Sequence, residues 1–382
     1  MPKWLLPEHI ADVLPAEARR IEDLRRTLLD RYRSYGYELV IPPLLEYLDS
    51  LFTGTGHDLD LRTFKLVDQL SGKTMGVRAD FTPQVARIDA HLLNRKGVVR
   101  LCYSGSVLHT LPRDMHATRE PLQVGAELYG HPGIEADIEV AELALASAAA
   151  GGNRDVRIDL SHMGVLRALL GQAQLGVDQA EALVALVRAK DVPSLREFAA
   201  IDDRVREALI VLCGLYGGPE VIDEARRALP RLPEIEAALD ALARLVSVLP
   251  SAQVGVDLGE LHGYAYHSGI MFAVYGERAT GALVRGGRYD QVGGAFGRAR
   301  PATGFSLDLR ELAFASPDQP IAPAIRAPWG LEANLREAIS ALRAQGEIVV
   351  QSLPERPDAP DEYACDRELR LSGGVWKVFR IE

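Results

Sequence analysis

Asp80 and Thr82 stand where a strand-like run changes into a helix-like run, within the segment 77–87. Side-chain oxygens at such a junction cap a helix by accepting hydrogen bonds from its first free amides. A carboxylate in this position can instead form an ion pair with the ammonium group of a ligand. The segment alone is compatible with both interpretations.

Gln123, Gly125 and Glu127 occupy alternate positions of one predicted strand. Alternate residues of a strand face the same side of its sheet, so the amide and the carboxylate share one face. If that face were buried, each unpaired polar group would cost roughly 2–7 kcal/mol and would need a partner or a ligand. The alternative is a sheet face that is exposed to solvent.

A short glycine-flanked segment holds two histidines and two tyrosines, which is unusual for an ordinary turn. His262 and His267 are five positions apart with no third ligand nearby, so we predict no metal site. Tyr266 and His267 instead suit the aromatic wall of a small-ligand pocket. A second glycine-rich segment, 285–290, is predicted as a loop whose backbone approaches the ligand beside Tyr289.

The periodicity of the sequence predicts the scaffold that must position these residues. Apolar residues at helical spacing predict an amphipathic helix over 16–35, and further helices are predicted over 135–150 and 304–314. Short strands joined by tight turns favour antiparallel pairing. They are predicted at 37–41, 62–67, 74–79, 98–109, 121–129, 155–160, 252–258, 268–276 and 280–285.

A change in composition divides the chain. The segment 161–249 is rich in Ala, Leu, Arg and Glu and is punctuated by Gly and Pro, which predicts a helical insertion. The predicted core is therefore discontinuous, comprising 1–160 and 250–316. Four prolines in 317–330 predict a linker. Beyond it, 328–382 is predicted as a small α/β C-terminal domain, with a helix over 331–345 and strands at 347–351, 367–371 and 375–381.

The composition argues against several classes of protein. The formal net charge is −10, so tRNA or another polyanion would meet net repulsion. Cys102, Cys213 and Cys365 lie far apart without zinc-type spacing, and we interpret them as reduced structural thiols. No apolar run approaches the roughly 20 residues of a membrane-spanning helix, and 1–20 holds no signal-peptide core. We therefore expect a cytoplasmic protein that binds neither nucleic acid nor membrane.

Together these segments are more specific than any one alone, and the chain resembles the catalytic core of class II histidyl-tRNA synthetases over about 5–315. The resemblance implies an α+β fold, an antiparallel sheet flanked by helices, that dimerises through the motif at 35–43. The matching motifs are Leu14-Pro15, Tyr35-Gly36-Tyr37-Glu38 with Pro42-Pro43, Phe64 to Asp68, Arg78 to Arg87, Gln123 to Glu127 and Gly286-Gly287-Arg288-Tyr289-Asp290.

The same resemblance implies a histidine pocket. Asp80 stands where the synthetases have Glu, which keeps the negative charge. His267 stands where they have the second Tyr of a Tyr-Tyr pair, which keeps an aromatic polar group. Recognition of histidine is therefore expected to persist in outline. The family's pocket falls on Asp80, Thr82, Gln123, Glu127, Tyr266, His267 and Tyr289.

The residues that would activate histidine are expected to be lost. Adenylate formation needs arginines on the ATP phosphates, because charge-assisted donors stabilise the developing negative charge. By resemblance, His109 stands at the arginine and Leu111 at the glutamate of the second motif. His262 replaces the arginine that histidyl enzymes use in place of magnesium, and Glu311 replaces the phosphate-binding arginine of the third motif.

A retained amino-acid pocket without activation chemistry resembles the synthetase-like regulatory subunits of short-form ATP phosphoribosyltransferase. That resemblance implies a chain without catalytic residues, metal or cofactor of its own. It also implies a homodimer that joins a short catalytic subunit in a hetero-octamer and activates the first step of histidine biosynthesis. L-histidine would be the effector of feedback inhibition, and tRNA would not bind.

Two alternatives remain open at this level. The first is a divergent histidine-activating ligase or histidyl-tRNA synthetase, which His109, His262 and Glu311 disfavour and which histidine-dependent pyrophosphate exchange would reveal. The second is a stand-alone histidine sensor that acts on another target. A neighbouring coding sequence for a short phosphoribosyltransferase would distinguish this second alternative.

Overall fold

The computed structural model describes residues 4–52, 57–115, 117–153, 155–173, 175–249, 254–261, 266–316, 323–354 and 364–381. The chain forms two compact units, Met1–Pro317 and Asp318–Glu382. The boundary between them falls near the predicted end of the synthetase-like core. Each unit has its own hydrophobic core, as expected of independently packed domains.

A nine-stranded sheet and a three-stranded sheet organise the first unit. The larger sheet has the order β1-β5-β6-β12-β11-β10-β7-β9-β8, and the smaller one has the order β2-β4-β3. Pairing is antiparallel except between β1 and β5 and between β7 and β9. The strands are β1 (Glu38–Leu39), β2 (Leu45–Tyr47), β3 (Lys65–Val67), β4 (Thr74–Val77), β5 (Val99–Ser106), β6 (Leu122–Tyr129), β7 (Val156–His162), β8 (Tyr216–Gly217), β9 (Val254–Asp257), β10 (Ile270–Gly276), β11 (Ala282–Arg288) and β12 (Ala302–Asp308).

Helices pack on this sheet through apolar stripes. The predicted amphipathic helix is present as α1, and its periodic residues Ile21, Leu24, Leu28 and Tyr32 are all buried. The helices of the unit are α1 (Pro15–Ser34), α2 (Leu48–Leu51), α3 (His57–Arg62), α4 (Thr82–Arg87) with a π-helical continuation (Ile88–Leu93), α5 (Ile134–Ala150), α6 (Met163–Gly171), α7 (Val177–Arg188), α8 (Val192–Glu197), α9 (Asp203–Gly214), α10 (Val221–Ala228), α11 (Pro233–Val248) and α12 (Leu309–Ala315). None of the described helices is both long and apolar enough to cross a bilayer.

The block 161–249 is helical as predicted, but it packs into the first compact unit instead of forming a unit of its own. Its residues Tyr216–Gly217 form β8, which pairs with β9 at one edge of the large sheet. Leu239 and Leu242 of α11 are fully buried in the same core as the sheet residue Ile158. The block is therefore a helical layer over one end of the sheet.

Two predicted elements near the site are wrong. The helix predicted over 304–314 begins only at Leu309, because Asp308 caps it and 302–308 forms β12. The loop predicted over 285–290 is mostly the end of β11. Glycine here permits close approach of strands and not a turn, since a Cβ on Gly286 would lie 2.4 Å from the Gly304 carbonyl oxygen.

The second unit has an α/β architecture of its own. Its sheet has the order β14-β13-β15-β16, and α13 covers one face through buried Leu335 and Ile339. The strand β13 lies inside 317–330, which was wrongly predicted to be linker throughout. Pro323 and Pro328 flank the strand and do not interrupt it. The elements are β13 (Ala324–Ala327), α13 (Ala333–Ala344), β14 (Val349–Gln351), β15 (Cys365–Ser372) and β16 (Val375–Arg380).

Candidate functional site

The carboxyl group of Glu127 lies at the centre of a buried polar cluster. Glu127 is on β6 and is 1% exposed. Its Oε1 accepts hydrogen bonds from Thr82 Oγ1 at 3.1 Å and from Tyr103 Oη at 3.0 Å. Its Oε2 accepts a short hydrogen bond from the hydroxyl of Tyr289. The partners of this one carboxyl group therefore come from α4, from β5 and from the residue that follows β11.

The acidity of Glu127 is strongly perturbed. Burial, together with the nearby charge of Asp80, raises the pKa of Glu127 to about 8, although the three hydroxyl groups oppose this change. At neutral pH the carboxyl group is therefore mostly protonated. A ligand that brings a positive charge or an N–H donor would favour the ionised form and displace that proton.

Asp80 and Gln123 form a second polar pair beside this cluster. Gln123 Nε2 donates to Asp80 Oδ1 at 2.8 Å, and Gln123 Oε1 accepts from the amide of Phe81 at 3.2 Å. Phe81 occupies the N-cap position of α4 and its side chain makes no capping bond, so any capping by Asp80 comes from one position earlier in the chain. Asp80 reaches the Thr82 amide only at 3.4 Å. Its carboxylate faces β6, as a ligand-binding group would.

Aromatic rings form the remaining wall. The ring centres of Tyr266 and Tyr289 are 5.0 Å apart, and those of Tyr266 and His267 are 5.6 Å apart. The hydroxyl of Tyr266 is buried close to the Thr82 side chain, and it makes no hydrogen bond of ordinary geometry within the described part of the chain. Such a group is available to a polar ligand. The structure thus brings all seven predicted pocket residues together, while their binding of histidine stays a prediction.

Two glycines leave room for the central carboxyl group and for Tyr103, which donates to it. A Cβ on Gly304 of β12 would lie 1.6 Å from Glu127 Oε2. A Cβ on Gly125 would lie 2.4 Å from Tyr103 Oη. Gly125 therefore belongs to the site by leaving room for Tyr103, a residue that the sequence analysis missed. A glycine between two polar residues of a strand was the available signal, but it does not identify the aromatic residue opposite.

Two of the predicted lost catalytic positions, His109 and Leu111, are described by the structure on neighbouring segments. His109 is buried; its Nε2 donates to the Ala79 carbonyl at 2.9 Å, and Arg62 Nη2 lies 3.2 Å from its Nδ1. Burial and the charge of Arg62 lower the pKa of His109, so the imidazole is neutral at pH 7. Leu111 is 69% exposed.

Glu311, at the start of α12, forms an ion pair with Arg113 at 2.7 Å. A carboxylate that is already paired with Arg113 therefore stands where the resemblance expects a phosphate-binding arginine. His262 lies outside the described residues. In the described ranges of the chain, no three His, Cys, Asp or Glu side chains are arranged to hold a metal ion.

Comparison with known proteins identifies the family of the chain. Residues 9–312 match the family model described as histidyl-tRNA synthetase, and residues 322–379 match that of the ATP phosphoribosyltransferase subunit HisZ C-terminal domain. An ATP phosphoribosyltransferase regulatory subunit from Ralstonia nicotianae is 61% identical over 379 residues, covering 99% of this chain and 98% of that protein. The chain belongs to the family of ATP phosphoribosyltransferase regulatory subunits.

Solved structures place the family on the predicted scaffold. An ATP phosphoribosyltransferase regulatory subunit/histidyl-tRNA synthetase from Bacillus halodurans C is 28% identical with a TM-score of 0.80, and the match covers 94% of this chain and 95% of that one. A chain of the ATP phosphoribosyl transferase (HisG:HisZ) complex from Thermotoga maritima is 19% identical with a TM-score of 0.59, covering 78% and 98%. The latter likeness concerns the fold alone. The predicted class II synthetase-like fold is therefore confirmed.

Proposed function

We propose that this chain is a non-catalytic subunit that activates a short-form ATP phosphoribosyltransferase and senses L-histidine for feedback inhibition. The observation that carries the proposal is the buried Glu127 cluster beside the Asp80–Gln123 pair. Family membership supports the regulatory role, and the retained pocket supports the choice of effector. In the cell we expect a cytoplasmic homodimer within a hetero-octamer that requires no cofactor and binds no tRNA.

The donors and acceptors of the pocket match those of histidine. An ionised carboxylate offers about four acceptor sites, and protein hydroxyl groups occupy three of them on Glu127. The remaining site on Oε2 suits one imidazole N–H group. Asp80 carries a negative charge for the α-ammonium group, and the rings of Tyr266 and Tyr289 suit the flat imidazole.

The decisive experiment reconstitutes the chain with its phosphoribosyltransferase and titrates the complex with histidine. We expect the catalytic subunit alone to be weakly active, the complex to be more active, and histidine to inhibit the complex. A stand-alone sensor would bind histidine but leave the phosphoribosyltransferase unchanged. That result would contradict the proposal and favour another target.

The purified chain is expected to show no histidine-dependent pyrophosphate exchange and no aminoacylation of tRNA. A carboxylate about 4 Å from a phosphate charge is repelled by roughly 4 kcal/mol at an effective dielectric near 20, where an arginine would be attracted by the same amount. Glu311 stands at such a position. The guanidinium of Arg113 is already paired with Glu311 and does not replace the missing arginine. Exchange above a no-protein control would instead support the ligase alternative.

Histidine affinity is expected to rise with pH through the pKa of Glu127. At pH 7 the free protein holds a proton on this carboxyl group, because burial raises its pKa to about 8. Binding must release that proton, so affinity should increase roughly eightfold between pH 7 and 8.5, above the imidazole pKa of about 6.5. Calorimetry in buffers of different ionisation enthalpy measures the released proton. Glu127→Gln should abolish the release, and a pH-independent wild-type affinity would contradict the assignment.

The chain is expected to self-associate through the exposed apolar segment 39–47. Ile41 is 83% exposed and Leu44 is 48% exposed, beside the edge strand β1. Such surfaces normally have a partner. Ile41→Asp should therefore shift the dimer to monomer in sedimentation analysis. Val177→Asp, at a 76% exposed site on α7, is the matched control and should leave the dimer intact.

A further inference from the structure

A buried cation lies behind the exposed segment at Pro42. Arg78 is 7% exposed and donates from Nη1 to the Pro42 carbonyl at 2.9 Å and from Nε to the Ser106 carbonyl at 2.8 Å. Its backbone amide donates to the Leu44 carbonyl at 3.0 Å. The guanidinium therefore holds the same segment that exposes Ile41.

Arg78 begins a series of stacked side chains that ends at the pocket. Its guanidinium carbon lies 3.8 Å from the centre of the Phe81 ring. That ring stacks on Tyr103 with centres 4.6 Å apart and planes 6° apart. Tyr103 Oη then donates to Glu127 Oε1 at 3.0 Å. We refer to Arg78, Phe81 and Tyr103 as the Arg78 stack.

Glycines on two neighbouring strands leave little free space around the Arg78 stack. A Cβ on Gly105 of β5 would lie 2.9 Å from Arg78 Nη2 and 3.1 Å from Phe81 Cζ. A Cβ on Gly125 of β6 would lie 2.4 Å from Tyr103 Oη. Because close-packed interiors transmit strain, a displacement at one end of the stack must move the other end.

Phe81 also sits between two pocket residues in the chain, Asp80 and Thr82. Its amide is bonded to Gln123, so a shift of the ring moves the backbone that presents both side chains. The stack therefore reaches the pocket by two routes. One route is the hydrogen bond from the Tyr103 hydroxyl to Glu127, and the other is the backbone of residues 80–82.

We propose that the residues of the Arg78 stack are positioning residues that couple self-association of the chain to histidine binding. The inference rests on the proposed function, which supplies histidine as the ligand and a second copy as the cover of 39–47. A guanidinium suits this task because it combines two hydrogen bonds with a flat face for Phe81, which lysine does not offer.

Sedimentation equilibrium of the full chain, with and without saturating histidine, tests the coupling. We expect histidine to lower the dimer dissociation constant of the wild type by about 5- to 150-fold, the usual range of coupling between two sites. By reciprocity, histidine should bind more tightly at protein concentrations that favour the dimer. The measured quantity is the ratio of the two dissociation constants.

Three variants locate the coupling in the stack. Phe81→Leu keeps the backbone amide but removes the stacked ring. Arg78→Lys keeps the charge but removes the flat guanidinium face. Each variant should bring the ratio of the two dimer dissociation constants near one. Tyr103→Phe keeps the ring but loses the bond to Glu127, so it should lower the ratio and shift the pH dependence of histidine binding. A packing role alone would not move the pH profile. Arg226→Lys, whose partner Glu236 lies in the helical layer away from 39–47, is the matched control and should keep the wild-type ratio.

Several results would overturn the inference. A wild-type ratio of one, or a Phe81→Leu variant with the full wild-type ratio, excludes coupling through the stack. If Phe81→Leu does not fold, unchanged ratios in Arg78→Lys and Tyr103→Phe have the same meaning. A wild-type monomer that binds histidine refutes both the inference and self-association but leaves histidine sensing standing. Failure of the wild type to bind histidine would refute the proposed function itself.

Discussion

Replacing Glu127 by Gln and Asp80 by Asn should each lower histidine affinity by about ten- to a hundredfold. A hydrogen bond to a charged group contributes roughly 1.5–3 kcal/mol, and each 1.4 kcal/mol is a factor of ten in affinity. Glu127→Gln preserves the shape of the side chain, so the loss reports the charge. Calorimetric titration of the isolated chain measures the affinity directly.

The same variants should make the reconstituted complex resistant to inhibition. A pocket that binds histidine weakly cannot shift the complex at a fixed histidine concentration, while activation without histidine should remain. Glu142→Gln, at an exposed position of α5, makes the same charge change away from the pocket and should behave as the wild type. An unchanged inhibition curve for the double variant would move the sensing site off this pocket.

Stability should change in the opposite direction in Glu127→Gln, which separates lost binding from lost folding. The folded protein keeps the Glu127 proton up to about pH 8, whereas an unfolded glutamate releases its proton near pH 4.3. The unfolded state thus binds fewer protons between these values, and the free energy of unfolding falls as pH rises. Gln does not titrate, so the stability of the variant relative to the wild type should rise by about 2 kcal/mol between pH 6 and pH 8. Urea denaturation at pH 6 and pH 8 checks this difference.

The sequence predicts the parts of the site that depend on local pattern. The alternation of Gln123 and Glu127 has the period of a strand, and the structure confirms that both side chains reach the pocket. The strand–helix junction at Asp80 and Thr82 is also local, and it lies where the pattern indicates. These predictions succeed because period and junction are properties of a few consecutive residues.

Contacts between distant strands account for what the sequence did not reveal. Tyr103 enters the site because β5 pairs with β6 in a register that sets it opposite Gly125. That register depends on the whole sheet. The ion pair of Arg113 and Glu311 joins residues 198 positions apart. Gly286 illustrates the same limit, since a glycine that permits close strand packing and one that permits a turn are identical in sequence.

Removing Asp137 should destabilise the fold by up to about 3–5 kcal/mol, because it takes away the nearer carboxylate of the buried Arg288 guanidinium and leaves only Asp290 at 3.3 Å. Arg288, which directly precedes the pocket residue Tyr289, is paired with Asp137 at 2.9 Å, and their side chains are 9% and 5% exposed. Burial raises the pKa of Asp137 even though the guanidinium opposes it, so desolvation of this pair is costly. Arg288 also donates to the carbonyl of Gly133 at 3.1 Å, which fixes the end of β11 on the start of α5.

Single and double variants of the Asp137–Arg288 pair test this expectation. Asp137→Ala in urea denaturation should show the full loss, whereas Glu22→Ala, which breaks the more exposed pair with Arg25, should cost less than about 1 kcal/mol. The double variant Asp137→Leu with Arg288→Met removes both charges and should recover most of the loss, since an apolar pair of similar volume avoids the desolvation of two ions. A double variant no more stable than Asp137→Ala would mean that the bonds of Arg288 to the backbone, and not its pairing with Asp137, stabilise this junction. Tyr289 would then depend on Arg288 itself, and histidine affinity should fall in the double variant even at temperatures where it is fully folded.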